Sequence, residues 1–188
     1  RRQHGHCQQL DGVRIQNGAT ANTIGGSNTN QRNIISGNGY EGVQIDGETS
    51  DGNIVKGNWI GIGANGTTVL GTAGDGIYIF GGADNSVIGG AGASDGNWIA
   101  SPAIVGIEID GLSSGTLVQG NRIGTDLAGT ANWGSLMDGM LIESGAFNNL
   151  IADNIVAFSG QGNLYTNGIL LYGTAGTGNA LLRNSVYS

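Results

Sequence analysis

One proline and one cysteine occur in 188 residues. A single thiol closes no intrachain disulfide, so no covalent staple frames the fold. Charged side chains are only 11 % of the chain and aromatics 6 %. Low charge combined with regularly recurring Ile and Val argues against a disordered polyelectrolyte. Basic residues are scarce, 7 against 14 acidic ones, for a net charge of −7. That balance disfavours nucleic acid and anionic membranes as partners, because both require basic surface. Neutral glycans, cations and basic proteins stay open. No apolar run is long enough to span a bilayer, so membrane insertion is not expected, and no secretory signal is visible. The 38 glycines rarely leave ten residues uninterrupted. An interior glycine costs a helix about 1 kcal/mol, so long helices are excluded.

What the chain does have is one stretch written repeatedly. Gly76-Ile77-Tyr78-Ile79 recurs as Gly12-Val13-Arg14-Ile15, Gly42-Val43-Gln44-Ile45, Gly106-Ile107-Glu108-Ile109, Gly139-Met140-Leu141-Ile142 and Gly168-Ile169-Leu170-Leu171. The starting glycines fall 29 to 34 residues apart, the period of a solenoid or another repeat array. Each lap holds three short apolar runs. The first alternates, placing pairs such as Val43/Ile45 and Ile107/Ile109 inward. The second contains Thr23-Ile24, Ile54-Val55, Val87-Ile88, Leu117-Val118, Leu150-Ile151 and Leu181-Leu182. The third follows a recurring asparagine at positions 33, 58, 97, 121, 154 and 184. Three strands per lap with tight bends describe an all-β, right-handed parallel β-helix of about six turns. Asparagine tolerates left-handed backbone at bends, and amides stacked at the ~4.8 Å strand spacing can form a ladder. These asparagines are therefore read as structural.

A longer period of 63 to 64 residues is also visible. Gly66-Thr67 matches Gly129-Thr130, and Asp75 matches Asp138. It places long loops, Ile62–Asp75 and Thr125–Asp138, on one side two laps apart. Residues 1–10 match no repeat column and read as an irregular leader or tag-like segment. Residues 11–188 read as the β-helix domain. His4, His6 and Cys7 lack a fourth ligand, so no metal site is assigned to them.

The Gly-Ile-x-Ile openings, the Ile-Gly-Gly and Gly-Asn-x-Ile-Gly bends and the asparagine column resemble the parallel β-helix repeats of the pectin-lyase-like superfamily. The closest likeness is to the Gly/Asn-rich type found in large bacterial extracellular proteins. The resemblance covers about residues 11–188. It implies an extracellular or cell-surface location and a polysaccharide or surface glycan as partner. It is poor for activity, since that superfamily spans lyases, hydrolases, epimerases, tailspikes and adhesin stalks. The signatures of its polygalacturonases and pectate lyases are missing here: there is no adjacent Asp-Asp pair and no suitably placed catalytic arginine.

Alternation on the first strand sends Asp46, Tyr78, Phe80, Glu108, Asp110 and Glu143 outward. Asp110 and Glu143 occupy one column on adjacent laps, about 5 Å apart, and Asp46 and Asp110 lie two laps apart, about 10 Å. Glycosidases use two carboxylates at about 5 to 5.5 Å for retention, or roughly 6.5 to 9.5 Å for inversion. Asp46, Glu108, Asp110 and Glu143 are therefore the candidate catalytic carboxylates of a glycoside hydrolase or polysaccharide lyase. Tyr78 and Phe80 are candidates to position a sugar. The same acids could bind Ca²⁺, although no known loop spacing supports it and no other cofactor is implied. An ordinary solvated sheet face is the plain alternative. On the third strand, Trp59, Trp98 and Arg122 at successive laps form a second candidate surface, read as packing under the long loops, a self-association face or a glycan platform. The solenoid ends are a further candidate for self-association. The competing function is a non-catalytic stalk or adhesin segment of a larger surface protein.

Overall fold

A computed structural model describes residues 10–161 and 165–188. The leading segment, with His4, His6 and Cys7, lies outside the described residues. Among the described residues, eighteen short strands assemble into three six-stranded sheets, each built from one strand per lap. The first sheet runs Val13–Ile15, Val43–Asp46, Ile77–Phe80, Ile107–Ile109, Met140–Ile142 and Ile169–Leu171. All pairings within the three sheets are parallel and join each strand to its equivalent one lap away, making a parallel β-helix of about six turns.

The register follows the apolar pattern. Ile77 sits between Val43 and Ile107, and Ile79 between Ile45 and Ile109. These side chains point inward and are completely or almost completely buried. They continue into a single core with Val55, Ile88 and Val118 from the second sheet and Ile60, Ile99 and Ile123 from the third. A one-residue slip would turn every inward Ile outward, which is why the register is held so firmly.

The glycine that opens each lap has a steric cause. A Cβ on Gly76 would lie 2.5 Å from both the Gly106 carbonyl oxygen and Ile99 Cγ2. At this corner the chain passes so close to the next lap that only hydrogen fits.

The asparagine column forms a continuous ladder. Asn33 Nδ2 donates to Asn58 Oδ1, Asn58 to Asn97, Asn97 to Asn121, Asn121 to Asn154 and Asn154 to Asn184, at 2.9 to 3.1 Å. Each backbone N–H from Asn33 to Asn154 donates to the same neighbouring oxygen. One expectation needs correction. The ladder asparagines themselves do not adopt left-handed backbone. At four of the six rungs that geometry falls on the preceding residue, Gly57, Gly120, Asp153 and Arg183, whereas Arg32, before Asn33, is extended at φ −66° and ψ 133°. At those four rungs the preceding residue makes the bend, which leaves the asparagine amide free to stack.

The long loops fold back as small hairpins, closed by antiparallel bridges between Ile62 and Val69 and between Thr125 and Asn132. They cover the third sheet and build a second small core of Ile62, Trp98 and Ala100 with Trp59, Val69 and Trp133.

Candidate functional site

Three of the four candidate carboxylates converge on the outer face of the first sheet. Glu108 sits between Tyr78 and Leu141 in the register, and Asp110 follows Ile109 one lap below Glu143. One carboxylate oxygen from each of Glu108, Asp110 and Glu143 lies within 4.8 Å of the others. Asp46 stands apart. Its register partner is Phe80, and its Oδ2 accepts a hydrogen bond from Arg14 Nη2 at 3.0 Å.

Tyr78 fixes the geometry of Asp110. Its hydroxyl donates to Asp110 Oδ2 at 2.8 Å. Asp110 Oδ1 is buried and has no hydrogen-bond partner among the described residues. One oxygen of this carboxylate is thus anchored, and the other is desolvated with both lone pairs unused. The Tyr78 and Phe80 rings stack at 4.6 Å and 10°, a rigid aromatic pair in the same strand.

A residue outside the first-strand alternation completes the cluster. Asp75 is only 4 % exposed, and its Oδ1 accepts the Val105 N–H at 2.8 Å. Its carboxyl also hydrogen-bonds Glu108. Two carboxyls in such contact share one proton, because both cannot ionise at that distance in a partly buried setting. Burial is the larger cause of the shifts that follow, with the neighbouring negative charges adding to it. Glu108 is pushed up to about 8, by burial first and then by Asp75, Asp110 and Glu143. Asp75 is pushed up to about 6 by burial, opposed by the Val105 N–H and by its bond to Glu108. Asp110 is raised by burial, with the Tyr78 hydroxyl pulling the other way. Burial likewise pushes the Tyr78 hydroxyl far above its ordinary range, so it remains a donor at any physiological pH. At neutral pH Glu108 is therefore the member of the cluster that holds the proton. The three inward-facing oxygens could also accept a hard divalent cation, which takes 6 to 8 oxygen ligands, with the remainder supplied by water or ligand.

Asp75 was traceable in the sequence by its 63-residue match to Asp138 and by its place before a lap-opening glycine. Asp11, Glu41, Asp75 and Asp138 all precede such glycines.

The second candidate surface is built differently from an open stacking platform. Trp98 is 7 % exposed, packed edge-on to Trp59 at 5.4 Å and against Trp133 at 5.4 Å, and its Nε1 donates to the Thr125 carbonyl. The Arg32 guanidinium lies 4.3 Å above the Trp59 ring. The two tryptophans form a packed wall under the hairpins. Arg122 is half-buried beside them, in register with Trp98.

No protein-family model, curated protein or solved structure matches the chain.

Proposed function

We propose that the outer face of the first sheet cleaves glycosidic bonds of an extracellular polysaccharide. The observation that carries this reading is the Glu108–Asp110–Glu143 cluster, with Asp110 held by Tyr78 through Oδ2 and its Oδ1 buried without a partner among the described residues. The oxygens lie within 4.8 Å, close to the ~5 Å carboxylate spacing of retaining hydrolysis and short of the roughly 6.5 Å that an intervening water needs. In this mechanism Glu108 gives its proton to the glycosidic oxygen as the leaving group departs. The Asp110 carboxylate attacks the anomeric carbon and forms a glycosyl ester. Glu108, now a carboxylate, takes a proton from water, whose oxygen displaces Asp110 and restores both side chains. Glu143 adds negative charge beside the oxocarbenium-like transition state. Asp75 shares the Glu108 proton and keeps its acidity near working pH. The stacked Tyr78 and Phe80 offer a ring face to a sugar. The likeness of the laps to pectin-lyase-like repeats supports a polysaccharide substrate and a location outside the cell.

The test is reducing-end release from a panel of neutral and acidic polysaccharides, with the anomeric configuration of the first product followed by NMR. Glu108→Gln and Asp110→Asn should each lower turnover about 10²- to 10⁴-fold, the range for a positioned acid or base. Net retention is expected. Inversion would reassign the carboxylates. If no polysaccharide yields reducing ends or binds, the stalk reading replaces this one. A second reading rests on the same oxygens holding Ca²⁺. Calcium titration by calorimetry tests it, and a heat that Asp110→Asn leaves unchanged would dismiss it.

A further inference from the structure

Five cationic side chains lie among the described residues: Arg14, Arg32, Lys56, Arg122 and Arg183. Arg14, Lys56 and Arg183 each pair with an aspartate. Arg32 and Arg122 pair with no carboxylate among the described residues, in a chain with twice as many acids as bases. Both line one cavity of about 240 Å³ on the third sheet, together with Trp59, Trp98, Ser94 and Leu127.

The arrangement leaves donors to spare. Arg32 uses Nε on the Gly57 carbonyl at 3.3 Å and spreads its guanidinium over Trp59. Arg122 uses Nη1 on the Asp126 carbonyl at 3.1 Å. The Asp126 carboxylate is turned away, accepting the Thr130 and Ala131 N–H groups at 2.8 and 3.0 Å. The cavity therefore carries two guanidiniums and no lining carboxylate, and it opens on a different sheet from the acidic cluster. Guanidinium forks match planar oxyanions in a bidentate manner, and their binding strengthens where tryptophan and loop exclude water.

We propose that this cavity binds a saccharide unit bearing an oxyanion, either a carboxylate or a sulfate ester. The oxyanion meets Arg122 and Arg32, the apolar ring edge meets Leu127, and the Ser94 hydroxyl meets a sugar hydroxyl. The proposal rests on the polysaccharide reading above and assigns a class to the polymer. The anion is held on the third sheet, while the acidic first sheet takes a neutral stretch that it does not repel.

All three tryptophans of the chain, Trp59, Trp98 and Trp133, belong to this wall. Intrinsic fluorescence therefore reports on this site and not on the first sheet. The full chain is titrated with a uronate oligosaccharide, its neutral methyl ester, a sulfated oligosaccharide and inorganic sulfate. One charged oligosaccharide should perturb the emission with a saturable, salt-weakened response, and which one does so identifies the oxyanion. The methyl ester should bind at least tenfold more weakly than the uronate where the uronate is the ligand. Arg32→Gln and Arg122→Gln, each confirmed as folded by circular dichroism, should weaken binding at least tenfold. Glu108→Gln should leave it unchanged. The proposal is overturned by equal binding of the neutral ester and a charged ligand, by full affinity in both arginine variants, by inorganic sulfate binding as tightly as the oligosaccharides, or by no response. Cleavage of a neutral glycan without any fluorescence response would overturn this site alone. A response without cleavage would overturn the first-sheet reading and leave this one standing.

Discussion

Replacing Asn97 by alanine should be far more damaging than the same change at Asn33, although both belong to one ladder. Asn97 is 1 % exposed and Asn58, its neighbour, is 0 % exposed. The Asn97 side chain accepts the Asn58 N–H at 3.1 Å and donates to the Val55 carbonyl at 2.7 Å. Truncation leaves the Asn58 N–H with no acceptor in a place water cannot reach, and it removes one donor from Val55. An orphaned buried group costs about 1–3 kcal/mol, so the expected loss is about 2–4 kcal/mol. Asn33 is exposed, and its Nδ2 donates to Asn58 Oδ1, which still receives the Asn33 backbone N–H at 3.2 Å. No buried group is orphaned there, and about 0.5–1.5 kcal/mol should be lost.

Urea denaturation measures the difference. With a slope of about 2 kcal/mol per molar, Asn97→Ala should lower the midpoint by roughly 1–2 M and Asn33→Ala by well under 1 M. Solenoid laps are stabilised by their neighbours, so hydrogen exchange should show the Asn97→Ala loosening spread to the adjoining laps rather than stay at one site. Asn97→Asp keeps the acceptor for Asn58 but turns a carboxylate toward Asn121 Oδ1 and the Val55 carbonyl. It should destabilise at least as much as alanine at pH 7 and recover as the pH falls. Equal midpoints for Asn97→Ala and Asn33→Ala would refute the claim that buried-amide satisfaction, and not column membership, sets the value of each rung.

Two further outcomes follow from the acidic cluster. Glu108 has its folded-state value raised from 4.5 to about 8, and Glu41 and Asp75 are raised to about 7 and about 6, so their stabilising contribution is complete below pH 4 and is lost as the pH climbs through those values. The denaturation midpoint should accordingly fall between pH 4 and 8, and Glu108→Gln should flatten that decline; an unchanged slope in the variant would contradict the assignment. Tyr78→Phe keeps the stacked ring but frees Asp110 Oδ2, so polysaccharide turnover should drop at least tenfold while circular dichroism stays unchanged, and a fully active variant would remove Tyr78 from the site.

Most of the architecture was legible because a solenoid repeats its reasons. The Ile-x-Ile alternation assigned the inward residues, and the period put Asp110 beside Glu143. Most of what escaped has no period. The bend residue changes from Gly57 to Asp153 to Arg183, so no residue type marks the left-handed position that precedes the asparagine at four of the six rungs. A second ladder at the start of the second strand, Asn22 to Asn53 and Asn149 to Asn179, is hidden because the intervening laps carry Ser86 and Thr116 there. Trp59 and Trp98 point away from the main core as alternation expects. They pack under the long loops, as one of the three sequence readings holds, and only the closure of those loops into hairpins goes beyond the strand periodicity. Asp75 does repeat, at Asp138, but it lies on the corner rather than on the strand, outside the alternating column of outward residues.

The acidic cluster also sets itself apart from the paired carboxylates by how its charge is handled. Like charges directly across parallel strands destabilise a sheet, and a parallel β-helix cannot let them drift, because the register holds neighbouring laps at about 4.8 Å. Glu41, raised to about 7 by burial and by its contact with Asp11, shares the cluster's handling, whereas at several other carboxylates the charge is met. Asp46 meets Arg14, Asp95 meets Lys56, Asp153 meets Arg183, and Asp138 accepts from both amide groups of Asn167. At Glu108, Asp110 and Glu143 no cation arrives among the described residues, and the fold responds by raising the proton affinity of Glu108. The same column carries Leu141 and Leu170 one and two laps further on, so an apolar side chain is sterically acceptable at this position. Stability alone would favour leucine at position 108. The glutamate, the buried lone pairs of Asp110 and the corner carboxyl of Asp75 together carry a cost that packing does not require, and the glycoside cleavage proposed above would draw on all three.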